Sequence, residues 1–497
     1  MFTYATPAQV GISAKSIHTL VKALEEMGKE SHSIIMARGN QIFYEQYWEP
    51  FHAQLPHRLY SSTKSFVSIA VGFAIDDGLC ALDDKIVDYF PDDVPDDVLP
   101  AIRQQTIRNM LMMSTGYLPS CGNWFIDHED RVKFYFSHNR ECNRSPKEFS
   151  KYPGAFYDYD STGTFILGAM VERLTGKSLE AYLREKLFDK IGVSESAHFL
   201  KCPGGHSWGD SAMVCTPQDF LKVARFVLNY GCHNGQQLLS RQYLVDATSP
   251  LISNGDRTNY KSFGYGYQFF ATWDNCFFFN GAGSNIALCC PEKDMILVYN
   301  GDTEARETLI YRFIKEIMAP ASDTPLPDDE DNLAALNAYS KSLKLRSVTV
   351  NSATNIQQRI SEKTYRLNEN TAGITKIRLD FDDDGGVFSY TNAQGFKQLP
   401  FGICYNKIVP FPQEGYSREV ATHFAPGSFY KCASSAGWCE PNKFYISARI
   451  IDEYLGGFHF HFYFASENHV VFLSHGGGEA FGSEYHGYAE GFYEKDD

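Results

Sequence analysis

The spacing of apolar residues divides the chain into a first region that mixes helical and strand periods and a last region dominated by alternation. Near the start Ile17, Leu20, Val21 and Leu24 recur at helical spacing behind Ser13, and SIIMARGNQIFYEQYW then reads as two strands turning at Gly39 and Asn40. Residues 65–75, SFVSIAVGFAI, are apolar on nearly every side, the pattern of a helix buried inside a domain, and Asp76, Asp77 and Gly78 end it. The run TFILGAMVERLTGKSLEAYLREKLFDKIGV predicts a helix through Phe165, Ile166, Met170 and Leu174 that stops at Gly176, then an amphipathic helix capped by Ser178. A further helix is expected over residues 217–230, with Gly231 just past its end. Apolar runs at 286–289 and 295–299, separated by PEKD, predict strand, turn and strand.

Between residues 319 and 332 the sequence APASDTPLPDDEDN has the composition of an exposed linker, and a short helix follows at 333–343. Beyond it, in FHFHFYF, Phe458, Phe460, Phe462 and Phe464 face one way while His459, His461 and Tyr463 face the other. The expected organisation is a mixed α+β domain over 1–320, a linker with a short helix over 321–345, and an antiparallel barrel or sandwich over 346–497. No internal repeat is visible.

Length agrees with more than one core, since 497 residues exceed what a single domain usually packs. An excess of 15 negative charges with no Lys/Arg run argues against a nucleic-acid partner, because phosphate binding needs a basic surface. The N-terminal stretch lacks the basic start and apolar core of a secretory signal, and no window reaches the 18 or so apolar residues of a membrane span. A cytoplasmic protein without a membrane partner is therefore expected. Twelve cysteines at irregular spacings read as reduced, mostly buried thiols and not as a disulfide framework.

Candidate chemistry centres on HRLYSSTKSFVSIAV, where Ser61 and Lys64 form a Ser-x-x-Lys pattern at the entry to the buried helix. On a helix, residues three apart share a face, so hydroxyl and amine come within hydrogen-bond reach. Burial and a helix N-terminus both disfavour a cation, which suits an amine that must take the serine proton. The backbone N–H of Ser61, free at a helix start, is a candidate oxyanion donor. A second Ser-x-x-Lys, Ser428 to Lys431, lies in the alternating region, where residues three apart point to opposite faces. Tyr159 and Ser161 in YDYDSTGTFILG form a Tyr-x-Ser arrangement just before a helix, and a phenol beside a lysine can pass a proton to a leaving group. The same spacing occurs at Tyr60, Tyr135, Tyr260 and Tyr390, so the surroundings of Tyr159 and not its spacing single it out.

SSTKSF before the buried helix, TIRNMLMMSTGY, the Tyr159 segment, TPQDFLKVARFVLNYG and a glycine-rich turn before PEKD occur in that order. In this the first 320 residues resemble the β-lactamase-related serine hydrolases, close to class C β-lactamases, D,D-peptidases and certain esterases. The resemblance implies a β-lactamase/transpeptidase-like fold, an antiparallel sheet flanked by helices with a helical subdomain, followed here by a lipocalin-like antiparallel barrel or sandwich. It implies Ser61, Lys64 and Tyr159 as catalytic residues, with Ser161 in the supporting place of the second motif. The third motif departs from the family pattern: where relatives often carry Lys or His, this chain has Phe279-Asn280-Gly281-Ala282. The N–H near Ala282 can still serve as an oxyanion donor, but the cation is lost. An ester or amide without a carboxylate at that position is then the expected small-molecule substrate, and no metal or organic cofactor is implied.

Other readings compete. Gly205-His206-Ser207-Trp208-Gly209 matches the GxSxG nucleophile elbow and His475 to Gly478 an oxyanion motif, yet the flanking sequence offers neither the strand before nor the helix after that an elbow requires, so GHSW reads as a loop near the cleft. His459 and His461, with His475 or His469, could make a metal site, or be an ordinary solvent-facing strand. D,D-peptidase or weak β-lactamase activity, and a silent binding or sensor module, remain alternatives.

Overall fold

The computed structural model describes residues 2–28, 30–116, 129–137, 152–255, 263–303, 305–417, 419–420, 424–478 and 484–494; Tyr117 and Tyr260 from the motifs above lie outside them. Two compact units are present, one of residues 1–343 with 418–422 and one of residues 344–417 with 423–497.

The first unit is built on an eight-stranded sheet of β1 (Thr3–Tyr4), β2 (Glu30–Arg38), β3 (Gln41–Tyr47), β4 (Gly264–Tyr265), β5 (Phe270–Ala271), β6 (Phe277–Gly281), β7 (Asn285–Cys290) and β8 (Met295–Asp302), in the order β1-β3-β2-β8-β7-β6-β5-β4. Apart from the parallel β1–β3 pair, its pairings are antiparallel, and β8 lies against β2, so the two ends of the unit's sequence meet at the sheet centre. Helix α1 (Ala14–Glu26) and the helical run at 306–318 cover one face, where Ile17, Leu20, Ile34, Met36, Leu288, Leu297, Leu309 and Phe313 share one buried cluster. Facing away from that cluster, Phe279 meets Phe66 of α2 (Thr63–Asp76) and Phe220, which puts α2 against the opposite face of the sheet. Every residue of α2 from Thr63 to Ala74 is buried, as its all-round apolar pattern requires.

Helix α3 (Ser161–Thr175) packs on α2 and ends at Gly176, whose φ of 67° is the left-handed stop its sequence announces. Thr216 caps α4 (Pro217–Leu228), and Phe220 of this helix joins the same aromatic contact. The segment rich in Pro and Asp is exposed, but it is docked on the first unit and does not swing free. Arg38 binds the carbonyl of Ser322 at 2.5 Å, Leu326 N–H donates to Ala8, and Leu336 and Leu343, at and beyond α5 (Glu330–Ser340), are buried in the core. Composition reports the polarity of such a segment and is blind to the few apolar side chains that anchor it.

In the second unit, β9 (Thr364–Leu367), β10 (Lys376–Phe381), β11 (Gly385–Asn392), β12 (Gly395–Ile403), β13 (Lys407–Tyr416), β14 (Phe424–Glu440), β15 (Lys443–Ile450), β16 (Gly456–Ser466), β17 (His469–Gly478) and β18 (Gly487–Tyr493) form one sheet in the order β12-β11-β10-β9-β18-β17-β16-β15-β14-β13. Pairing of Gly402 with Ser435 and of Ile403 with Ala436 joins β12 to β14, closing a nine-stranded barrel from which β13 stands off as a hairpin partner. Phe458, Phe460, Phe462 and Phe464 point inward, where Phe388, Phe411, Trp438, Phe444 and Phe472 meet them ring on ring and Phe401 joins through Phe444. The interior is thus a packed aromatic core. His475 to Gly478 simply end β17, and Ser428 and Lys431 lie on β14.

His459, His461 and His475 share the outer face of β16 and β17, with ring centroids 4.7 and 5.4 Å apart. Among the described residues no group of three or more potential ligands converges on a metal position, and the Nδ1 of His459 is engaged by the Tyr445 hydroxyl at 2.5 Å. Also among the described residues, no helix is long and apolar enough to cross a membrane.

Candidate active site

Ser61 sits in a tight turn, residues 60–62, that runs straight into α2. The turn is forced: Tyr60 holds a φ of 48°, a left-handed value unusual for a residue with a side chain, and Arg58 lies over its ring at 4.6 Å. Three hydroxyls pin the start of the helix. Ser62 donates to the carbonyl of Asn285, Thr63 accepts from the N–H of Met213, and Ser65 donates to the carbonyl of Gln268, at 2.7, 3.0 and 2.7 Å.

One turn along, the buried Lys64 directs its side-chain nitrogen back to Ser61, with Nζ 3.0 Å from Oγ. The same Nζ donates to the carbonyl of Asp210 at 2.5 Å and lies 5.1 Å from the centre of the Tyr159 ring. Tyr159, far from the Ser61–Lys64 pair in sequence, is thereby brought beside it. Tyr159 precedes α3, whose N-cap Asp160 accepts from the N–H groups of Thr162 and Gly163 and fixes where the loop ends. Ser161 opens the first turn of α3 but does not line the cleft.

The cleft, about 420 Å³, is lined by Ser61, Tyr157, Tyr159, Asn254, Phe270, Phe278, Asn280, Gly281, Ala282 and Arg306. Strand β6 brings its last residues alongside the serine turn so closely that a Cβ on Gly281 would stand 2.2 Å from the carbonyl oxygen of Leu59. Asn280, Gly281 and Ala282 therefore all reach the cleft. An arginine from another element stands beside the third motif. Arg306, at the start of the helix that follows β8, donates through Nη1 to Oδ1 of Asn280 at 2.6 Å and through Nη2 to Glu307 at 2.6 Å. Its guanidinium, about a quarter exposed, lines the same cleft as Ser61. No spacing rule links Arg306 to Asn280, so a guanidinium beside the third motif is visible only in the tertiary fold.

The Gly205-His206-Ser207-Trp208-Gly209 run is a loop, with β-structure at Met213–Cys215 where an elbow would need a helix. Its contribution is made one residue later. Asp210 supplies the carbonyl that holds Lys64, while burial pushes its own carboxyl above the usual range against the pull of Lys64, Arg131 and Arg58. Arg58 fastens this loop by donating to the carbonyl of Ser211 and stacking on Trp208, whose indole also lies 4.5 Å from Arg131. Asp210, like Arg306, Tyr157 and Phe270, carries no motif by which sequence could have found it.

The sequence profile of the beta-lactamase family matches residues 19–317, more than half of the chain. The chain belongs to the beta-lactamase family. It is 22% identical over 269 residues to the 6-aminohexanoate-dimer hydrolase of Paenarthrobacter ureafaciens, covering 51% of this chain and 65% of that one. With a penicillin-binding protein of Bacillus subtilis strain 168 it shares 23% over 194 residues, 37% of this chain and 41% of that one. Less than two thirds of either relative's length thus lies within the match. In structure, the octameric penicillin-binding protein homologue from Pyrococcus abyssi is similar over 96% of this beta-lactamase family member and 99% of that chain, with a TM-score of 0.51 at 14% identity, a likeness of fold.

Proposed function

We propose that the protein cleaves an ester or amide bond through an acyl-enzyme on Ser61. The observation that carries this reading is the 3.0 Å contact between Lys64 Nζ and Ser61 Oγ inside a cleft that also holds Tyr159 and the end of β6. Ser61 Oγ attacks the carbonyl carbon while its proton passes to Lys64. The negative charge that develops on the carbonyl oxygen is met by the backbone N–H groups of Ser61 and Ala282, a role that needs no side chain. Collapse expels the leaving group, which takes its proton by way of Tyr159, and a water entering the cleft then hydrolyses the acyl-serine by the same steps in reverse. Asn280 and Gly281 support the donor strand, and the reading assigns no cofactor.

Arg306 favours a second, narrower reading: an amide or peptide-like substrate that presents a carboxylate to the Asn280–Arg306 pair. A planar guanidinium is suited to that group, although Glu307 offsets part of its charge. Intact-mass spectrometry after incubation with a p-nitrophenyl ester, a penicillin and a fluorophosphonate, on the wild type and on Ser61→Ala, tests the first reading. Adducts that vanish with Ser61 support it, and their absence from all three reagents would leave a binding module. Turnover of an N-acyl dipeptide against its neutral amide, before and after Arg306→Leu, decides the second.

A further inference from the structure

We propose that the cleft is built to receive a planar aromatic group of the substrate, an inference that rests on the Ser61 reading only for which bond is cut. Among the described residues, four of the ten that line the cleft are aromatic: Tyr157, Tyr159, Phe270 and Phe278. They form a continuous wall. Phe270 stacks on Phe278 with centroids 5.3 Å apart and an interplanar angle of 26°, meets Tyr265 edge-on at 4.8 Å, and lies 6.4 Å from Tyr159. Tyr157 leans on the same buried Tyr265 at 5.2 Å.

Phe278 and Tyr265 are nearly inaccessible, whereas Tyr157, Tyr159 and Phe270 keep part of their surface in the cleft. The exposed rings are held from behind by buried ones. Rings already fixed in this way lose little freedom when a ligand arrives, so the apolar contact is retained as affinity. Burial pushes the Tyr157 phenol well up, so that ring remains neutral at ordinary pH. Such a surface discriminates by shape and by ring quadrupole, which favours a flat aromatic partner in offset or edge-on contact over an aliphatic ring of similar size. The polar groups of the cleft, Asn254, Asn280 and Arg306, leave the carbonyl and any charged end of the same molecule to be oriented separately.

The test is equilibrium binding by titration calorimetry to the full-length Ser61→Ala protein, which cannot turn ligand over. The probes are N-phenylacetylglycine, N-cyclohexylacetylglycine and N-acetylglycine. The expected result is that the phenyl compound binds about 10- to 100-fold more tightly than the acetyl one and more tightly than the cyclohexyl one. Phe270→Leu, introduced beside Ser61→Ala, should remove most of that advantage; Tyr157→Leu, read in the same way, takes its place if the first variant fails to fold. Equal affinity for phenyl and acetyl compounds, a preference for cyclohexyl, or an advantage untouched by the wall substitutions overturns the proposal. A phenyl preference without any Ser61 adduct in the mass experiment would keep the aromatic site and sink the hydrolase reading, whereas Ser61 adducts without a phenyl preference would do the reverse.

Discussion

Gly281→Ala is the smallest change that probes how closely β6 is set against the serine turn. The backbone is no obstacle, because Gly281 has a φ of −118°, which any residue adopts. Space is the obstacle. The added methyl would stand 2.2 Å from the carbonyl oxygen of Leu59 and 2.8 Å from that of Asn285, and both are main-chain atoms that cannot rotate away. Ordinary contact requires the strand and the turn to part by about 1 Å, and overpacking of this kind costs about 1–3 kcal/mol of stability. Ser61 lies two residues from Leu59, and Ala282 follows Gly281 directly, so the same movement separates nucleophile from proposed oxyanion donor. A displacement of about 1 Å at a reacting centre lowers turnover on the order of 100-fold, about 2.7 kcal/mol in the barrier. The assay pairs kcat/KM for a p-nitrophenyl ester and the rate of fluorophosphonate labelling with a thermal melt. Gly176→Ala is the control: with nothing within 4 Å of its Cβ but a φ of 67°, it should cost about 1–2 kcal/mol and leave labelling unchanged. A Gly281→Ala protein that melts like the wild type and labels within threefold of its rate would refute the close approach and the oxyanion role inferred from it.

Three further outcomes are expected. Lys64→Ala should slow single-turnover acylation of Ser61 by about 100-fold or more, and an unchanged acylation rate would remove Lys64 from the role of base. Burial pushes the His57 imidazole down to about 4 from its ordinary 6.5. Because the folded value is the lower one, the neutral ring's contribution is complete above about pH 6.5 and is lost as the pH falls through that window towards 4, about 3 kcal/mol in all. His57→Phe, which keeps a ring against Phe51 and His32, should flatten the dependence of the urea midpoint on pH over this range; parallel curves for the two proteins would contradict the assignment. In the barrel, Phe388 is fully buried against Tyr390, Phe460, Phe462 and Phe472, so Phe388→Ala should cost about 3–5 kcal/mol, read from the unfolding transition reported by Trp438; a loss below 1 kcal/mol would mean the interior is not packed.

Much of this protein was legible in local pattern because the physics behind that pattern is local. Helical spacing at Ile17, Leu20, Val21 and Leu24, the all-round apolar run that became α2, and the alternation of Phe458 to Phe464 each record which side of an element meets water, and each element formed where its period placed it. Ser61 and Lys64 could be paired on paper because i to i+3 on a helix is a geometric statement complete within four residues. Tyr159 needed the order of several segments and not any single spacing.

What the sequence could not determine are the meetings of residues with no shared period. The docking of the 319–343 segment, the closure of the barrel between Gly402 and Ser435, the Asp210 carbonyl on Lys64 and the guanidinium of Arg306 on Asn280 all depend on where separate elements come to rest. Such contacts are selected by the packing of the whole core, whose free energy is shared among many side chains and encoded at none of them. For that reason the chain itself announces a serine beside a lysine on a buried helix, and only the folded protein decides which charge, which rings and which backbone donors surround them.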